Sequence, residues 1–341
     1  MAINLKALDY RGLTQFLAGL GEPEFRARQV WQWLWQKGAV DFAQMTNLSK
    51  ALREKLEQQS WIGYLKVLAK QVSREDGTSK YLFGLPDGQA VESVLMRHNY
   101  GLSVCVSTQV GCRMGCRFCA STMEGLVRNL EAWEIYDQVL RTQVDAGDRV
   151  GSVVIMGSGE PLENYANVLR FIRLLNDPQG LNIGQRHITL STCGVAPKIN
   201  DLAREDLDIT LSISLHATTD EVRNEIMPIN RKYPLGGLLQ ACKAYIAATK
   251  RRITFEYALL SGVNDRPEEA HSLGKLLKGL LCHVNLIPVN PVEGRDFAKP
   301  SREKVRDFQK IVESYGLETT VRRELGADID AACGQLRRRL T

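Results

Sequence analysis

The sequence predicts an α/β protein, a partial (β/α)6 barrel preceded by an N-terminal helical region and a small β-meander. Its first part has the hydrophobic spacing of helices, and three segments with strand-like alternation follow. Beyond these, short apolar segments alternate with amphipathic stretches, and such repeated β–α units predict a parallel sheet with right-handed crossovers. Six units are too few for a closed (β/α)8 barrel, so an open barrel is expected.

Residues 1–60 are predicted to be helical and to form an accessory region. In EPEFRARQVWQWLWQKGAV the apolar side chains fit one helix face, with Pro23 in the first turn and Gly38 at the end. NLSKALREKLEQQ predicts a second helix, for which Ser49 is a suitable N-cap. We expect the tryptophans of this region to belong to the core.

Residues 61–100 are predicted to form the β-meander that links this region to the barrel. The segments YLKVLAKQV, TSKYLFGL and QAVESVLMRH are separated by EDG and PDG, which favour hairpin turns. The barrel itself is expected over residues 101–295. Residues 296–341 are expected to add a helix (301–315), a seventh strand (LETTVRR) and a terminal loop that carries a cysteine.

Six candidate strands and the helices between them define the barrel. The strands are LSVCVST (102–108), SVVIM (152–156), HITLS (187–191), ITLSISL (209–215), RITFEYAL (252–259) and HVNLIPV (283–289), and the helices are 129–146, 163–175, 235–249 and 266–281. The active site of such a sheet lies at the C-terminal ends of its strands. Residues that can bind a ligand or a metal come at or just after the ends of these strands, namely those of GCRMGCRFCA and GSGEPL, Ser191, the segment 214–216 and Asn290.

The composition is that of a globular protein that can bind RNA without requiring it. The chain has 341 residues and a net charge of +5, with basic clusters at 250–252, 322–323 and 337–339. No apolar run is long enough to span a membrane, and MAINLKALDY lacks a secretory signal, so a cytoplasmic location is expected. In that reducing compartment the eight cysteines are expected to bind metal, to react or to pack in the core.

Three cysteines lie close together in GCRMGCRFC, after the first barrel strand. Cys112, Cys116 and Cys119 are spaced by four and three residues, and three thiolates on one tight loop can bind a soft metal centre. Structural zinc normally takes four ligands, and no second CxxC pair or nearby histidine supplies the fourth. An iron–sulfur cluster with one open iron explains three ligands better, while zinc and three unrelated core cysteines stay as alternatives.

The motif CxxxCx-aromatic-C, with Phe118 in the aromatic position, resembles the signature of the radical S-adenosylmethionine (SAM) superfamily. The resemblance implies a [4Fe–4S] cluster on the three cysteines, with an open iron that binds SAM and an electron that cleaves it to a 5′-deoxyadenosyl radical. GSGEPL resembles the second signature of that superfamily, which implies that Gly159 and Glu160 hold the amino group of SAM. By the same resemblance, its ribose, carboxylate and adenine contact Ser191, Ser214, Leu215, His216 and Asn290.

A closer resemblance extends over nearly the whole chain. FRARQ, VESVLM, CVSTQVGCRMGCRFCAS, MGSGEPLENY, LSISLHA, IPVNP and GADIDAACGQL are similar to segments of the RlmN-type 23S rRNA and tRNA adenine C2-methyltransferases. Relatives of the Cfr type methylate C8 of the same rRNA adenosine, and Pro161 in the Gly-Glu-Pro stretch favours the RlmN type. Ser158 departs from the family pattern, in which Met is frequent.

The resemblance also implies a mechanism with two further cysteines and a carboxylate. Cys333 takes a methyl group from one SAM. The radical formed from a second SAM then removes a hydrogen atom from this methyl group, and the resulting S-methylene radical adds to the electron-poor C2 of adenine. A thiol must then release the RNA, which leaves a disulfide. Cys105 matches this resolving position, and Glu92 matches the proton-transfer residue. Taken alone, Cys105 would be interpreted as a core residue and Glu92 as an exposed strand residue.

The expected partners are 23S rRNA and tRNA, bound by residues 1–60 and the basic clusters, and an external, flavodoxin-like electron donor. We expect a monomer that does not enter a membrane. The target adenosine must leave its stack, so unpaired RNA is the expected substrate. Three alternatives stay open: C8 methylation, a radical SAM enzyme that acts on a non-RNA substrate, and a non-catalytic RNA-binding protein with structural zinc. We expect Cys193, Cys242 and Cys282 to be structural.

Overall fold

The computed structural model of the protein describes residues 2–331 and residue 335, so Cys333 lies outside the described residues. The helices are α1 (Tyr10–Gly19), α2 (Phe25–Trp35), α3 (Lys50–Gln59), α4 (Ala132–Ala146), α5 (Tyr165–Asn176), α6 (Ala196–Leu202), α7 (Asp220–Ile226), α8 (Leu235–Thr249), α9 (Pro267–Leu277) and α10 (Arg302–Glu313). Helices α4 and α8 have 15 residues each, and none of the helices within residues 2–331 is long and apolar enough to cross a membrane.

The strands belong to one large sheet and two small ones. They are β1 (Ile3–Asn4), β2 (Ser60–Trp61), β3 (Lys66–Val72), β4 (Ser79–Gly84), β5 (Ala90–His98), β6 (Gly101–Cys105), β7 (Gln109–Gly111), β8 (Leu126–Asn129), β9 (Val150–Ile155), β10 (Ile188–Thr192), β11 (Thr210–Ser214), β12 (Ile253–Leu259), β13 (Cys282–Pro288) and β14 (Thr319–Val321). Strand β1 pairs with β2, and β7 pairs with β8.

The large sheet has ten strands in the order β14-β13-β12-β11-β10-β9-β6-β5-β4-β3 and does not close on itself. Neighbours from β6 to β14 are parallel, because a crossover separates each strand from the next. Strands β3 to β6 are antiparallel neighbours, so the meander extends the barrel sheet rather than standing apart from it. The predicted open, partial barrel is therefore confirmed.

The N-terminal helices pack on helix α4 through buried aromatic rings. Trp31 and Trp35 are 3% and 1% exposed, and the ring of Trp35 meets that of Tyr136 edge-on at 4.9 Å. Lys6 and Asp137 form a salt bridge of 2.6 Å, and both side chains are completely buried. Removing one partner of a buried ion pair leaves an uncompensated charge, so this pair fixes the helical region on the barrel. The predicted core role is confirmed for Trp31 and Trp35, whereas Trp33 is half-buried.

Two kinds of element escape prediction from the sequence. Helices α6 and α7 have seven residues each, which is too short for a clear 3.6-residue periodicity. The hairpin of β7 and β8 has strands of three and four residues, on either side of the cysteine motif. This hairpin matters for function because it carries the cysteine loop at its tip.

Candidate active site

A cavity of about 170 Å³ lies at the C-terminal ends of the parallel strands. Its wall contains the three predicted cluster ligands and six of the seven predicted SAM contacts, namely Cys112, Cys116, Cys119, Gly159, Glu160, Ser191, Ser214, His216 and Asn290. The seventh, Leu215, has a fully buried side chain, and its backbone N–H donates to Glu256 O at 3.0 Å. The structure thus brings these predicted residues together at the C-terminal ends of the strands.

Local hydrogen bonds fix the cysteine loop. The backbone N–H of Cys112 donates to Gly125 O at 3.0 Å across the hairpin, and Thr122 Oγ1 donates to the carbonyls of Cys116 and Cys119. The N–H of Arg117 donates to Ile226 O at 2.9 Å, at the end of helix α7. The loop is thus tied both to its own hairpin and to the barrel.

The thiols of the loop are screened from water. Cys112 and Cys116 are buried and Cys119 is half-buried, and Met114, Phe118 and Met227 line the same cavity. Burial raises the pKa of the Cys112 thiol to about 12 and raises the pKa of the Cys116 thiol well above its ordinary value. Without a cation to stabilise a thiolate, these sulfurs therefore stay protonated.

The Gly-Glu-Pro stretch needs glycine at its first position. Gly159 has φ 109°, a conformation that residues with a side chain rarely adopt. A Cβ atom there would lie 2.7 Å from Gln109 Cβ and 2.8 Å from Thr108 Oγ1, in the segment that leads into the cysteine loop. Close packing of the two predicted signatures thus depends on the missing side chain.

Glu160 is a buried carboxylate with a fixed orientation. It accepts hydrogen bonds from Thr192 Oγ1 at 2.7 Å, from the N–H of Cys193 at 2.8 Å and from the N–H of Leu162 at 3.0 Å. Burial raises the pKa of Glu160, and these donors act in the opposite direction by stabilising the carboxylate. An ammonium group is the natural counter-charge for such a carboxylate inside a cavity.

His216 is a neutral hydrogen-bond donor. Its backbone has φ 60°, and its Nδ1 accepts from the N–H of Ala258 at 2.9 Å, so the proton of the ring is on Nε2. Burial, and next the charge of Arg223, lower its pKa from 6.5 to about 3. The ring meets Phe118 of the cysteine loop edge-on at 5.0 Å.

We expect His216→Asn to reduce the acid sensitivity of the fold. The folded-state pKa of His216 is depressed, so its contribution to stability is present above pH 6.5 and is lost as pH falls toward 3. Asparagine tolerates positive φ, its Oδ1 can accept from Ala258, and it takes up no proton. Between pH 6 and 4 the free energy of unfolding should fall less steeply in the variant than in the wild type. The two slopes should differ by up to about 1.4 kcal/mol per pH unit. Urea unfolding at several pH values measures this, and equal slopes would contradict the assignment.

A second cavity of about 470 Å³ adjoins the first and shares Ile287, Asn290 and Arg322 with it. Part of its wall is apolar and contains Val94, Met96 and the thiol of Cys105. Another part is basic, with Lys299, Arg302, Arg306, Arg322 and Arg323, beside one acidic residue, Glu324. Such a cavity suits a ligand that has a flat apolar part and an anionic part.

Glu92 and Cys105 lie on one face of the sheet. Cys105 pairs with Val94 across β5 and β6, and Glu92 is two residues before Val94, so their side chains point the same way. Glu92 is 4% exposed and its carboxylate lies 3.5 Å from Lys80 Nζ. The exposed position that Glu92 alone would suggest is therefore wrong, while Cys105 is buried as expected.

The C-terminal segment packs beside these residues. Ala331 belongs to the same apolar cluster as Cys105, Val94 and Met96. Asp76 Oδ2 accepts from the N–H of Gly326 at 2.9 Å, which ties the segment to the β3–β4 turn. Ala331 is two residues before Cys333 in the sequence.

Three residues of the site were missed from the sequence. Cys193 and Glu256 line the first cavity, and Arg223 is fully buried behind it. Cys193 follows β10, so the rule of strand ends could have indicated it, whereas Glu256 lies in the middle of β12, where that rule does not apply. No sequence signal marks Arg223, because arginine on a short helix is expected to be exposed.

Two family models match the chain. The model of the ribosomal RNA large subunit methyltransferase N-terminal domain matches residues 3–62. The model of the radical SAM superfamily matches residues 106–273, which include the cysteine loop and strands β9 to β12.

Full-length relatives are also similar. A probable dual-specificity RNA methyltransferase RlmN from Desulforamulus reducens is 57% identical over 99% of this chain and 96% of its own length. The protein of the same description from Pelotomaculum thermopropionicum is 59% identical over 99% of this chain and 92% of its own length. A crystal structure of a radical SAM methyltransferase from Sphaerobacter thermophilus superimposes with a TM-score of 0.95 at 45% identity, covering 99% of this chain and all of the other.

Proposed function

The chain belongs to the RlmN family of radical SAM RNA methyltransferases, and from this premise we propose that it methylates C2 of an adenosine in 23S rRNA and in tRNA. One observation carries the proposal beyond the family. The cavity of the predicted SAM contacts shares Ile287, Asn290 and Arg322 with the cavity that contains Cys105. A cofactor in the first cavity and a base in the second would therefore be in contact.

The first cavity fits a [4Fe–4S] cluster held by Cys112, Cys116 and Cys119. Two buried thiols and one half-buried thiol lie around one cavity, among Met114, Phe118 and Met227, and such a set suits a larger soft group. When bound, the cluster supplies the electron that cleaves SAM to a radical.

The remaining polar groups of the first cavity suit SAM. The carboxylate of Glu160 can bind its ammonium group, and the Nε2–H of His216 can donate to an oxygen or nitrogen acceptor. Ser191, Ser214 and Asn290 offer further donors and acceptors at the C-terminal ends of β10, β11 and β13. These side chains orient the cofactor, and the surrounding apolar residues keep water away from it.

The chemistry at C2 explains why a cysteine must carry the methyl group. C2 of adenine is an electron-poor aromatic carbon, so it cannot displace the methyl group of SAM, whereas a thiolate can. Cys333 accepts the methyl group in this proposal, and its carbon then joins C2. The packing of Ala331 beside Cys105 supports this role, since two residues of chain span at most about 7 Å.

Release of the product needs a proton acceptor and a second thiol. Glu92 lies on the same sheet face as Cys105 and is the proposed acceptor of the C2 proton. With the C2 proton, one electron leaves the radical adduct and returns to the centre that cleaves SAM, so that a closed-shell thioether joins Cys333 to C2. The thiolate of Cys105 then attacks the sulfur of Cys333, and the bond from that sulfur to the methylene carbon breaks. This carbon takes up a proton to become the methyl group of the product, and the two cysteines are left as a disulfide. An external, flavodoxin-like donor supplies the electron for SAM cleavage.

The second cavity supports a nucleotide as the ligand. Its apolar part can take a base that has left its stack, and its basic residues can pair with the phosphates on either side. Arg302, Arg306 and Arg323 are exposed to solvent, where a large RNA can reach them. The basic wall thus favours RNA over a small uncharged substrate.

The product identifies the reaction. Reconstituted protein, SAM and a reductant are incubated with unmodified 23S rRNA fragments and with tRNA, and the digested RNA is separated by chromatography and mass spectrometry. We expect 2-methyladenosine from both RNAs, and none from a Cys112→Ala control. 8-Methyladenosine would establish the C8 alternative instead. SAM cleavage with no methylated RNA would support a non-RNA substrate.

A further inference from the structure

Arg223 is a buried cation behind the first cavity. It lies on the short helix α7 and is 0% exposed, which is unusual for arginine. The 220–231 segment packs against the cysteine loop, since Ile226 O accepts from the N–H of Arg117 and Met227 lines the cavity. Arg223 therefore sits between the cysteine loop and the ends of the barrel strands.

The hydrogen bonds of Arg223 use neutral acceptors. Its Nε donates to Leu215 O at 2.9 Å, and its Nη2 donates to Cys193 O at 2.7 Å and to Ser214 O at 3.1 Å. Its Nη1 donates to Asn230 Oδ1 at 2.9 Å. These bonds connect the ends of β10 and β11, where predicted SAM contacts lie, but they do not neutralise the charge.

Direct neutralisation by a carboxylate is also missing. Within residues 2–331 and 335, no acidic side chain forms a salt bridge with Arg223, although a buried charge is costly unless it is paired. The negative charge of Asp220 attracts Arg223 without forming a salt bridge with it. The Oδ1 of Asp220 already accepts hydrogen bonds from Asn230 Nδ2 and from the N–H of Leu235. The fold therefore has an excess positive charge at this position.

The sulfur atoms are the better candidates for the balancing charge. Arg223 Nη2 donates to the carbonyl of Cys193, which lines the first cavity together with Cys116. Arg117, the residue after Cys116, donates its N–H to Ile226 O on the helix that carries Arg223. Cys193 has a strongly raised pKa because it is buried and faces Glu160, so it stays a neutral thiol. Cys116 is a predicted cluster ligand, and it becomes a thiolate when the cluster binds.

We propose that Arg223 is the buried counter-charge of the cluster, which raises the reduction potential of the cluster while holding the ends of β10 and β11 in place. This inference rests on the cluster assigned under the proposed function. Reduction adds a negative charge to the cluster, and a nearby positive charge in a medium of low polarity stabilises the reduced form. Arg223 thus acts as a positioning and tuning residue rather than a catalytic one.

A redox titration of the cluster tests the proposal without RNA or turnover. The cluster signal is followed by electron paramagnetic resonance in the wild type, Arg223→Met and Arg223→Lys. At a fixed potential we expect the ratio of reduced to oxidised cluster to fall about tenfold in Arg223→Met, which corresponds to ~59 mV. Arg223→Lys keeps the charge but loses the forked hydrogen bonds, so its ratio should stay within about threefold of the wild type.

Arg113→Gln is the matched control. This arginine follows Cys112 directly, but it is exposed and its guanidinium pairs with Glu163 at 2.7 Å. Solvent and its partner screen it, so its removal should leave the ratio near that of the wild type.

Distinct outcomes would overturn the inference. An Arg223→Met protein that is loaded with cluster and titrates like Arg113→Gln would show that Arg223 does not tune the cluster. A tenfold fall of the ratio of reduced to oxidised cluster in Arg223→Lys would assign the effect to geometry rather than charge. This outcome can be read even if Arg223→Met does not fold. A wild-type protein that binds no cluster would overturn the proposed function and this inference together.

Discussion

Replacing Cys105 with alanine is expected to leave the RNA covalently attached to the protein. In the proposed reaction the sulfur of Cys105 breaks the bond between Cys333 and the new carbon, and among the described residues that line the second cavity Cys105 is the one with a thiol. The steps before release do not need Cys105, so the adduct should form and accumulate. Multiple turnover should fall by a factor on the order of 10³ or more, as when a nucleophile is removed.

A denaturing gel with labelled RNA measures this directly. The labelled RNA of the adduct should migrate with the protein and should be lost after ribonuclease treatment. The adduct should resist reducing agents, because the bond between the Cys333 sulfur and the new carbon is a thioether. Cys282→Ala is the matched control, since Cys282 is similarly buried (9% against 7% exposed) but begins strand β13, at the edge opposite the active site. Free methylated RNA released by Cys105→Ala at the wild-type rate would contradict the resolving role.

The position of Cys105 illustrates what the sequence could and could not predict. Alternation placed it on a strand, but no sequence pattern gives the register between two strands. The structure pairs Cys105 with Val94, and this register puts Cys105 and Glu92 on one face. The sequence of this strand alone predicts an exposed Glu92, because strand alternation does not reveal that a second element covers the polar face.

The cavity residues were more predictable because they follow a rule of topology. Ser191, Ser214 and Asn290 come at the ends of parallel strands, and any parallel sheet brings those ends to one edge. Helix α8 was also predicted at its observed bounds, since its 15 residues give several periods of the hydrophobic pattern. Arg223 could not be predicted in this way, because its burial depends on carbonyl groups from two separate strand ends.

Cys333→Ala is expected to abolish methylation while leaving the cluster and SAM binding intact. Cys333 is separate in sequence from Cys112, Cys116 and Cys119, so iron content should equal that of the wild type. Without the carrier sulfur there is no methyl group to join to C2, and the carbon itself cannot take one from SAM. Methylated adenosine should fall by at least about 10³-fold, in the range seen when a covalent nucleophile is removed.

The two cysteine variants together separate the methyl carrier from the resolving thiol. Cys105→Ala should accumulate adduct, Cys333→Ala should form none, and the double variant should behave like Cys333→Ala, because the bond to RNA must form before it can be broken. Mass spectrometry of the purified wild type should find an added methyl group on the peptide that contains Cys333 and not on the one that contains Cys105. A protein that turns over while Cys333 never carries this group would instead support a radical SAM enzyme whose terminal cysteine is incidental. In that case the apolar cluster that contains Ala331 and Cys105 would serve packing alone.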